Sequence, residues 1–213
     1  MARNQTISDD FTYSNGFLTA VDSGGWSIGL LMSDMEVSSN ALILSAIATD
    51  FDVLYTGTSL TAAQYASCVM TTFTGTGASP AIYTYINLRG STSAYTTYEY
   101  AAAKGDGSFT SRIRKVVAGT KTLLTSENST TWANGDKLLG EVDGSGNHVL
   151  ERNDSVLLST SNNDIASGSA GLYMWGGTGS STDITLDTFR AGEVTGGGGC
   201  PRQSAYYHMM GMR

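Results

Sequence analysis

The chain has two prolines, two cysteines and two histidines in 213 residues, and each scarcity removes a class of protein. Cys68 sits in an apolar run and Cys200 in a glycine-rich tail, which gives neither a disulfide framework nor a metal cluster; the expectation is maturation in a reducing compartment. His148 and His208 are the only bases of their kind, and neither lies near a Gly-x-Ser-x-Gly elbow, so nucleophilic catalysis has little to work with. Positive charge is also short: 12 Lys and Arg against 19 Asp and Glu give a net charge of −7, which argues against a nucleic-acid or anionic-membrane surface. No window approaches the ~18 apolar residues of a membrane helix and no apolar stretch follows Met1. The chain is therefore expected to be neither membrane-embedded nor exported through a signal peptide.

Glycine is plentiful at 26 residues, and Ser and Thr add 53, a composition compatible with disorder. However, 11 Tyr, 6 Phe, 3 Trp and recurrent short Ile, Leu and Val runs require a packed core. Turn clusters such as Asn15-Gly16, Gly105-Asp106-Gly107, Asn134-Gly135-Asp136 and Asp143-Gly144-Ser145-Gly146 punctuate those runs, with no helical pattern of 10 to 15 residues between them. This predicts an all-β, antiparallel two-sheet β-sandwich. The run Leu42 to Ile47 reads as a central strand covered on both faces, and Leu60 to Tyr65 as one helical turn before a strand at Ala66 to Met70. Lys137 to Val142, His148 to Arg152 and Val156 to Leu158 read as a three-strand meander, followed by strands at Ala170 to Trp175 and Ile184 to Asp187. Residues 1–6 are expected to be an N-terminal arm, 7–194 the sandwich, and 195–213 a spacer and tail.

That tail departs in composition from everything before it: four glycines, Gly196 to Gly199, precede a segment with two Tyr, three Met, two Arg and no acid. The glycines form a flexible spacer, and no Lys-Ser/Thr follows to make them a phosphate loop. Adaptable Met and anchoring Tyr suit a docking peptide, which marks Tyr206, Tyr207, His208, Met209, Met210 and Arg213 as partner-docking candidates.

Candidate binding residues are fewer. Asp50, Asp52, Asp183 and Asp187 have the oxygen chemistry for calcium, although Asp at β turns also serves as a turn former. Arg112 and Arg114 alternate along a strand and share a face, either solvated or set against an acidic neighbouring subunit. Tyr83, Tyr85, Tyr95, Tyr98 and Tyr100 crowd one region and form a candidate glycan face. The spacing of two within Tyr83/Tyr85 and Tyr98/Tyr100 equally suits cross-strand packing.

Several short motifs carry a family likeness. Ser8-Asp9-Asp10-Phe11 with Trp26, Gln64-Tyr65-Ala66, the run Gly135 to Gly144, Gly168 to Tyr173, and Leu186-Asp187-Thr188-Phe189 together resemble the concanavalin A-like (laminin G-like) jelly-roll domains, which are common in bacteriophage structural proteins. The resemblance covers about residues 7–194 and implies a jelly roll with extended N- and C-terminal arms. It also implies that the first and last strands lie side by side, with Phe11, Trp26, Leu172, Trp175, Leu186 and Phe189 as core or edge anchors.

In function, the resemblance implies a non-enzymatic bacteriophage virion structural protein of the capsid-decoration type. Such a protein would be made in the host cytoplasm and docked by its terminal arms on other virion proteins at the outer surface, with a homo-oligomer among the candidate assemblies. The alternative is a lectin-like glycan-binding module for host adsorption, and a weaker one a polysaccharide hydrolase or lyase. Related glucanases place Glu-x-Asp-x-x-Glu on one strand face; here Asp34-Met35-Glu36 supplies two carboxylates and lacks the third, so no catalytic residue and no cofactor is expected.

Overall fold

Alternating inward and outward side chains, interrupted by glycine and asparagine turns, leave the chain one economical solution, two sheets packed face to face. The computed structural model describes residues 2–22, 24–28, 35–44, 50–74, 82–104, 108–176 and 183–195. In chain order its strands are β1 (Ala2–Asp9), β2 (Gly16–Phe17), β3 (Trp26–Ile28), β4 (Glu36–Ser38), β5 (Ala41–Ile43), β6 (Asp50–Tyr55), β7 (Gln64–Phe73) and β8 (Ile82–Gly90). There follow β9 (Thr97–Lys104), β10 (Ser111–Val117), β11 (Thr120–Glu127), β12 (Lys137–Val142), β13 (Asn147–Arg152), β14 (Ser155–Ser161), β15 (Ser169–Gly176) and β16 (Ile184–Thr195). One sheet has nine strands, in the order β14-β13-β12-β7-β16-β5-β4-β2 with β1 also against β16; the other has seven, in the order β11-β10-β9-β8-β15-β6-β3. Every pairing is antiparallel.

The neighbouring first and last strands are observed. β1 runs along β16 from Ala2↔Thr195 to Asp9↔Phe189, so residues 2–6, expected as an arm, belong to the sandwich. The backbones come so close that a Cβ on Gly192 would collide with the carbonyl of Asn4. Arg3 then fastens the strand to the sheet, with Nε donating to Glu141 at 2.6 Å and Nη2 to Glu151 at 2.7 Å.

The shared core between the sheets holds Phe11, Trp26, Leu172, Leu186 and Phe189, as expected, each worth ~1.5–3 kcal/mol when buried. Asp9 explains why an acid precedes that aromatic cluster. Its carboxylate accepts from the Phe11 backbone N–H and the Trp26 indole, both at 2.7 Å, and from the Tyr13 hydroxyl at 2.8 Å.

Three local expectations change. The helical turn at Leu60 to Tyr65 is absent, because β7 already begins at Gln64, paired with Val142 on one side and Glu193 on the other. The one helical turn among the described residues is Leu18–Val21, where Leu18 is fully buried. The strand at Leu42 is only Ala41–Ile43, with Leu42 and Leu44 buried and Ile43 half-buried, so a single face is covered; residues 45–49 lie outside the described residues. The meander at β12, β13 and β14 forms as read. Cys68 is a free, buried thiol whose pKa is driven up by burial. Among the described residues, no helix is long and apolar enough to cross a membrane.

Candidate binding face

The period of two divides the aromatic residues of the seven-strand sheet into two sets. On β9, Tyr98, Tyr100 and Ala102 point into the core while Glu99, Ala101 and Ala103 point outward. On β8 and β15 the outward set is Tyr83, Tyr85, Tyr173 and Trp175, which with Phe109 form a second apolar cluster on the outer face. Tyr83 stacks at 5.8 Å on Phe109 and lies 5.3 Å from Trp175, and Tyr85 meets Tyr173 edge-on at 4.8 Å. These are favourable geometries for ring pairs.

Charged side chains from three further strands surround those rings. Asp50 on β6, Arg112 and Arg114 on β10, and Lys121 on β11 line, with Tyr83, Tyr85, Tyr173 and Trp175, a depression of about 260 Å³. Arg114 pairs with Glu99 beneath the surface, and Glu99 also accepts from the Tyr95 hydroxyl at 2.5 Å. Arg112 has its guanidinium carbon 3.9 Å from the Phe109 ring centroid and donates to the Tyr85 hydroxyl. The two arginines therefore differ: Arg114 is buried and paired with Glu99, whereas Arg112 is half-buried against aromatic rings and has no carboxylate partner among the described residues.

Asp52 is the unusual carboxyl of this face. It is 3% exposed, accepts from Asn87 Nδ2 at 2.7 Å and has Glu99 nearby; burial first, then that negative charge, push its pKa up to about 7.

The five tyrosines of the expected glycan face do not act together. Tyr83 and Tyr85 do line the depression. Tyr95 is buried, its hydroxyl committed to Glu99 and its ring facing the Lys121 ammonium at 5.8 Å. Tyr98 and Tyr100 are fully buried between the sheets, because on β9 they stand opposite the inward Leu88 and Ile86 of β8, whereas Tyr83 and Tyr85 stand opposite the outward Ala103 and Ala101. Tyr98 donates to Asn162 Oδ1 at 2.7 Å and accepts from the Ile165 N–H at 3.1 Å. We therefore expect Tyr98→Phe to cost about 1–2 kcal/mol in urea unfolding without changing any ligand affinity. A binding defect at unchanged stability would return Tyr98 to the ligand face.

His148, also inward, is held between Tyr100, with 2.6 Å between Nδ1 and the hydroxyl oxygen, and the Asn162 carbonyl at 2.7 Å from Nε2. The carbonyl requires an Nε2 proton, so the neutral ring accepts from Tyr100 at Nδ1. Burial lowers its pKa to about 4.

The four calcium candidates are split between the sheets, Asp50 and Asp52 on β6 and Asp183 and Asp187 at the start of β16. Asp50 accepts from the Tyr173 hydroxyl, Asp52 from Asn87, and Asp187 from the Thr188 N–H at 2.6 Å. Among the described residues no group of three or more His, Cys, Asp or Glu could hold a metal ion. Of the Asp34/Glu36 pair, Glu36 lies in β4 of the other sheet and Asp34 lies outside the described residues, as do Tyr206, Tyr207, His208, Met209, Met210 and Arg213.

Sequence reading missed Tyr173, Phe109 and Lys121 as members of this face, and counted Trp175 only among the core or edge anchors. The available signal was the alternation Ala170, Leu172, Met174 against Gly171, Tyr173, Trp175, which sorts that strand into an inner and an outer set.

No protein-family model and no curated protein matches the sequence. Solved structures do match in fold. A Bacillus subtilis protein of unknown function with a galectin-like fold superposes with a TM-score of 0.60 at 10% identity, over 90% of this chain and 97% of its own. The Emp47p carbohydrate recognition domain gives 0.54 at 11% identity, over 86% and 95%. Carbohydrate-binding module CBM66 from Bacillus subtilis gives 0.53 at 15% identity, over 77% and 91%. The fold is thus the concanavalin A-like, galectin-like jelly roll.

Proposed function

We propose that this protein is a non-catalytic glycan-binding module whose ligand lies on the outer face of the seven-strand sheet. The observation that carries the reading is the pair Tyr83 and Trp175, two half-buried rings 5.3 Å apart in a depression edged by Asp50, Arg112 and Lys121. A pyranose has one apolar face for such rings and a rim of hydroxyls for such charges. Carbohydrate-binding proteins of the same fold support it.

The state of two carboxyls supports the reading of binding without cleavage. Glu99 is taken by Arg114 and Tyr95, and Asp52 is 3% exposed, so neither reaches out to a glycosidic oxygen. Carried on a larger assembly by the spacer and tail of residues 195–213, the module would serve adsorption to a surface polysaccharide.

Titration of the full chain against a panel of neutral and acidic oligosaccharides tests the reading. We expect Trp175→Ala and Tyr83→Ala each to weaken binding roughly tenfold, with the far-ultraviolet circular dichroism retained. Affinities unmoved by both changes, or no binding to any member of the panel, would remove the outer face from consideration.

A further inference from the structure

The glycan-binding reading leaves open what kind of sugar the face selects, and the placement of charge across it answers that question. Asp50 and Asp52 lie on β6, and Arg112, Arg114 and Lys121 on β10 and β11. In the sheet order, β10 and β6 are separated by β9, β8 and β15, so their backbones stand about 19 Å apart at ~4.8 Å per strand. The acids therefore gather at one end, the cations at the other, and the rings of Tyr83 and Trp175 lie between them.

The cations differ in what they have left to offer. Arg114 is neutralised by Glu99. Arg112 and Lys121 pair with no carboxylate among the described residues, and each instead faces an aromatic ring. Arg112 is half-buried, with its guanidinium carbon 3.9 Å from the Phe109 ring centroid, and one Nη donor goes to Tyr85. Its Nε is enclosed and has no acceptor, so hydrogen bonds within the protein compensate the charge only in part. An anion that meets the terminal N–H groups balances that charge. The rest of the protein, with its net charge of −7, repels such an anion, so this end of the sheet is where one would settle.

Resting on the glycan-binding reading, we propose that the ligand is an acidic sugar, a uronate whose ring stacks on Tyr83 and Trp175 and whose carboxylate meets Arg112 and Lys121. The planar fork of Arg112 matches a carboxylate, which favours a uronate over a sulfated sugar. At the opposite end, Asp50 accepts from ring hydroxyls.

The test is calorimetric titration of the full chain with oligogalacturonate, oligomannuronate and hyaluronan oligosaccharides. Each is paired with its carboxyl-esterified form, which keeps the backbone and removes the charge; dextran sulfate serves as the sulfate probe. At least one free acid should bind ten times or more tighter than its ester. Arg112→Gln should weaken the acid about tenfold to a hundredfold and the ester by no more than about threefold. Lys121→Gln, on an edge strand where folding is not at risk, should weaken the acid about threefold and lower its salt dependence.

Equal binding of acid and ester, or binding only to neutral members of the panel, would overturn the uronate assignment and leave the glycan reading standing. Dextran sulfate bound as tightly as any uronate and insensitive to Arg112→Gln would also overturn it, as general polyanion attraction. Absence of binding to every acidic and neutral oligosaccharide would sink both readings together.

Discussion

Arg89→Met should lower the unfolding free energy by about 3–5 kcal/mol, the largest loss we expect from a single side-chain replacement in this protein. Arg89 is fully buried, yet no carboxylate among the described residues forms an ion pair with it. Its guanidinium donates to four oxygens instead: Ala62 O at 2.8 Å from Nε, Asn163 Oδ1 at 2.8 Å and Ile165 O at 2.5 Å from Nη1, and Asp143 O at 2.9 Å from Nη2. These acceptors belong to the segment before β7, the β12–β13 turn and the connection after β14, so one side chain ties parts of both sheets together. The Arg89 backbone N–H donates to Gln64 Oε1 at 3.0 Å, and Gln64 Nε2 donates to Gly168 O at 2.6 Å, which extends the same knot.

Methionine fills the volume and supplies no donor, leaving four acceptors unpaired, of which the carbonyls of Ile165 and Asp143 are buried. Part of the loss is offset because the cost of burying the charge disappears, the same cost that lowers the arginine's pKa. At ~2–4 °C per kcal/mol for a domain of this size, the melting temperature should fall by roughly 10 °C. Arg89→Lys should recover little, since a single ammonium cannot span three segments. Urea unfolding followed by tryptophan fluorescence reads the effect, and a change below about 1 kcal/mol would mean that water or a neighbouring donor replaces the guanidinium.

Asp52→Asn should act in the opposite direction and only at higher pH. In the folded protein the carboxyl keeps its proton up to about pH 7, whereas in the unfolded chain it loses it near pH 3.9. Between those values the folded state binds more protons than the unfolded one, so stability falls as pH rises and levels off above about 7. About three pKa units at 1.36 kcal/mol each makes the ionised group cost roughly 4 kcal/mol at pH 8. Asparagine carries no charge at any pH and brings an N–H for the Asn87 oxygen that now has no donor. The variant should equal the wild type near pH 4 and exceed it by up to about 4 kcal/mol at pH 8.

His148 runs the other way. Its folded pKa of about 4 lies below the unfolded ~6.5, so the unfolded state binds the extra proton and stability rises with pH across that window by about 3 kcal/mol. The two slopes oppose each other, and the wild-type profile should be nearly flat from about pH 4.5 to 6.5. Asp52→Asn should unmask the rising limb due to His148. Below that window the carboxylates of Asp136 and Asp143 add their own acid sensitivity: against the opposing effect of burial, Arg152 chiefly holds the first low, and the Asn147 side chain with the turn N–H groups holds the second. A variant whose advantage over the wild type is the same at pH 4 and pH 8 would show that Asp52 is ionised throughout.

How much of this was legible beforehand follows from the range of each interaction. The two-sheet sandwich was open to reading because it depends on a pattern that repeats, a period of two broken by Gly and Asn turns, and repetition survives local exceptions. The meander at β12 to β14 was clearest for that reason. The pairing of first and last strands came through resemblance and holds from Asp9↔Phe189 to Ala2↔Thr195. Residues 2–6 were misread as an arm because Ala2, Arg3, Asn4, Gln5 and Thr6 carry little apolar signal; what makes them a strand is the exposed edge of β16 and the two glutamates that receive Arg3.

The binding face divides in the same way. Composition determined that a tyrosine-dense sheet would exist, and the period of two determined that Tyr83 goes with Tyr85 and Tyr98 with Tyr100. Which pair faces the core was a matter for the tertiary structure, since both pairs are equally apolar and only the position of the second sheet distinguishes the two sides. Arg89 makes the point most plainly. Its place in the alternation after Tyr83, Tyr85 and Asn87 assigns it to the outer face, yet a φ of 54° turns the strand and sends the guanidinium inward, to carbonyls that lie 27 to 76 positions away in the chain. A local pattern carries no record of acceptors that distant; the scarcity of cysteine, histidine and positive charge could only narrow the expectations. The packing of one sheet on the other settled where its few free cations stand.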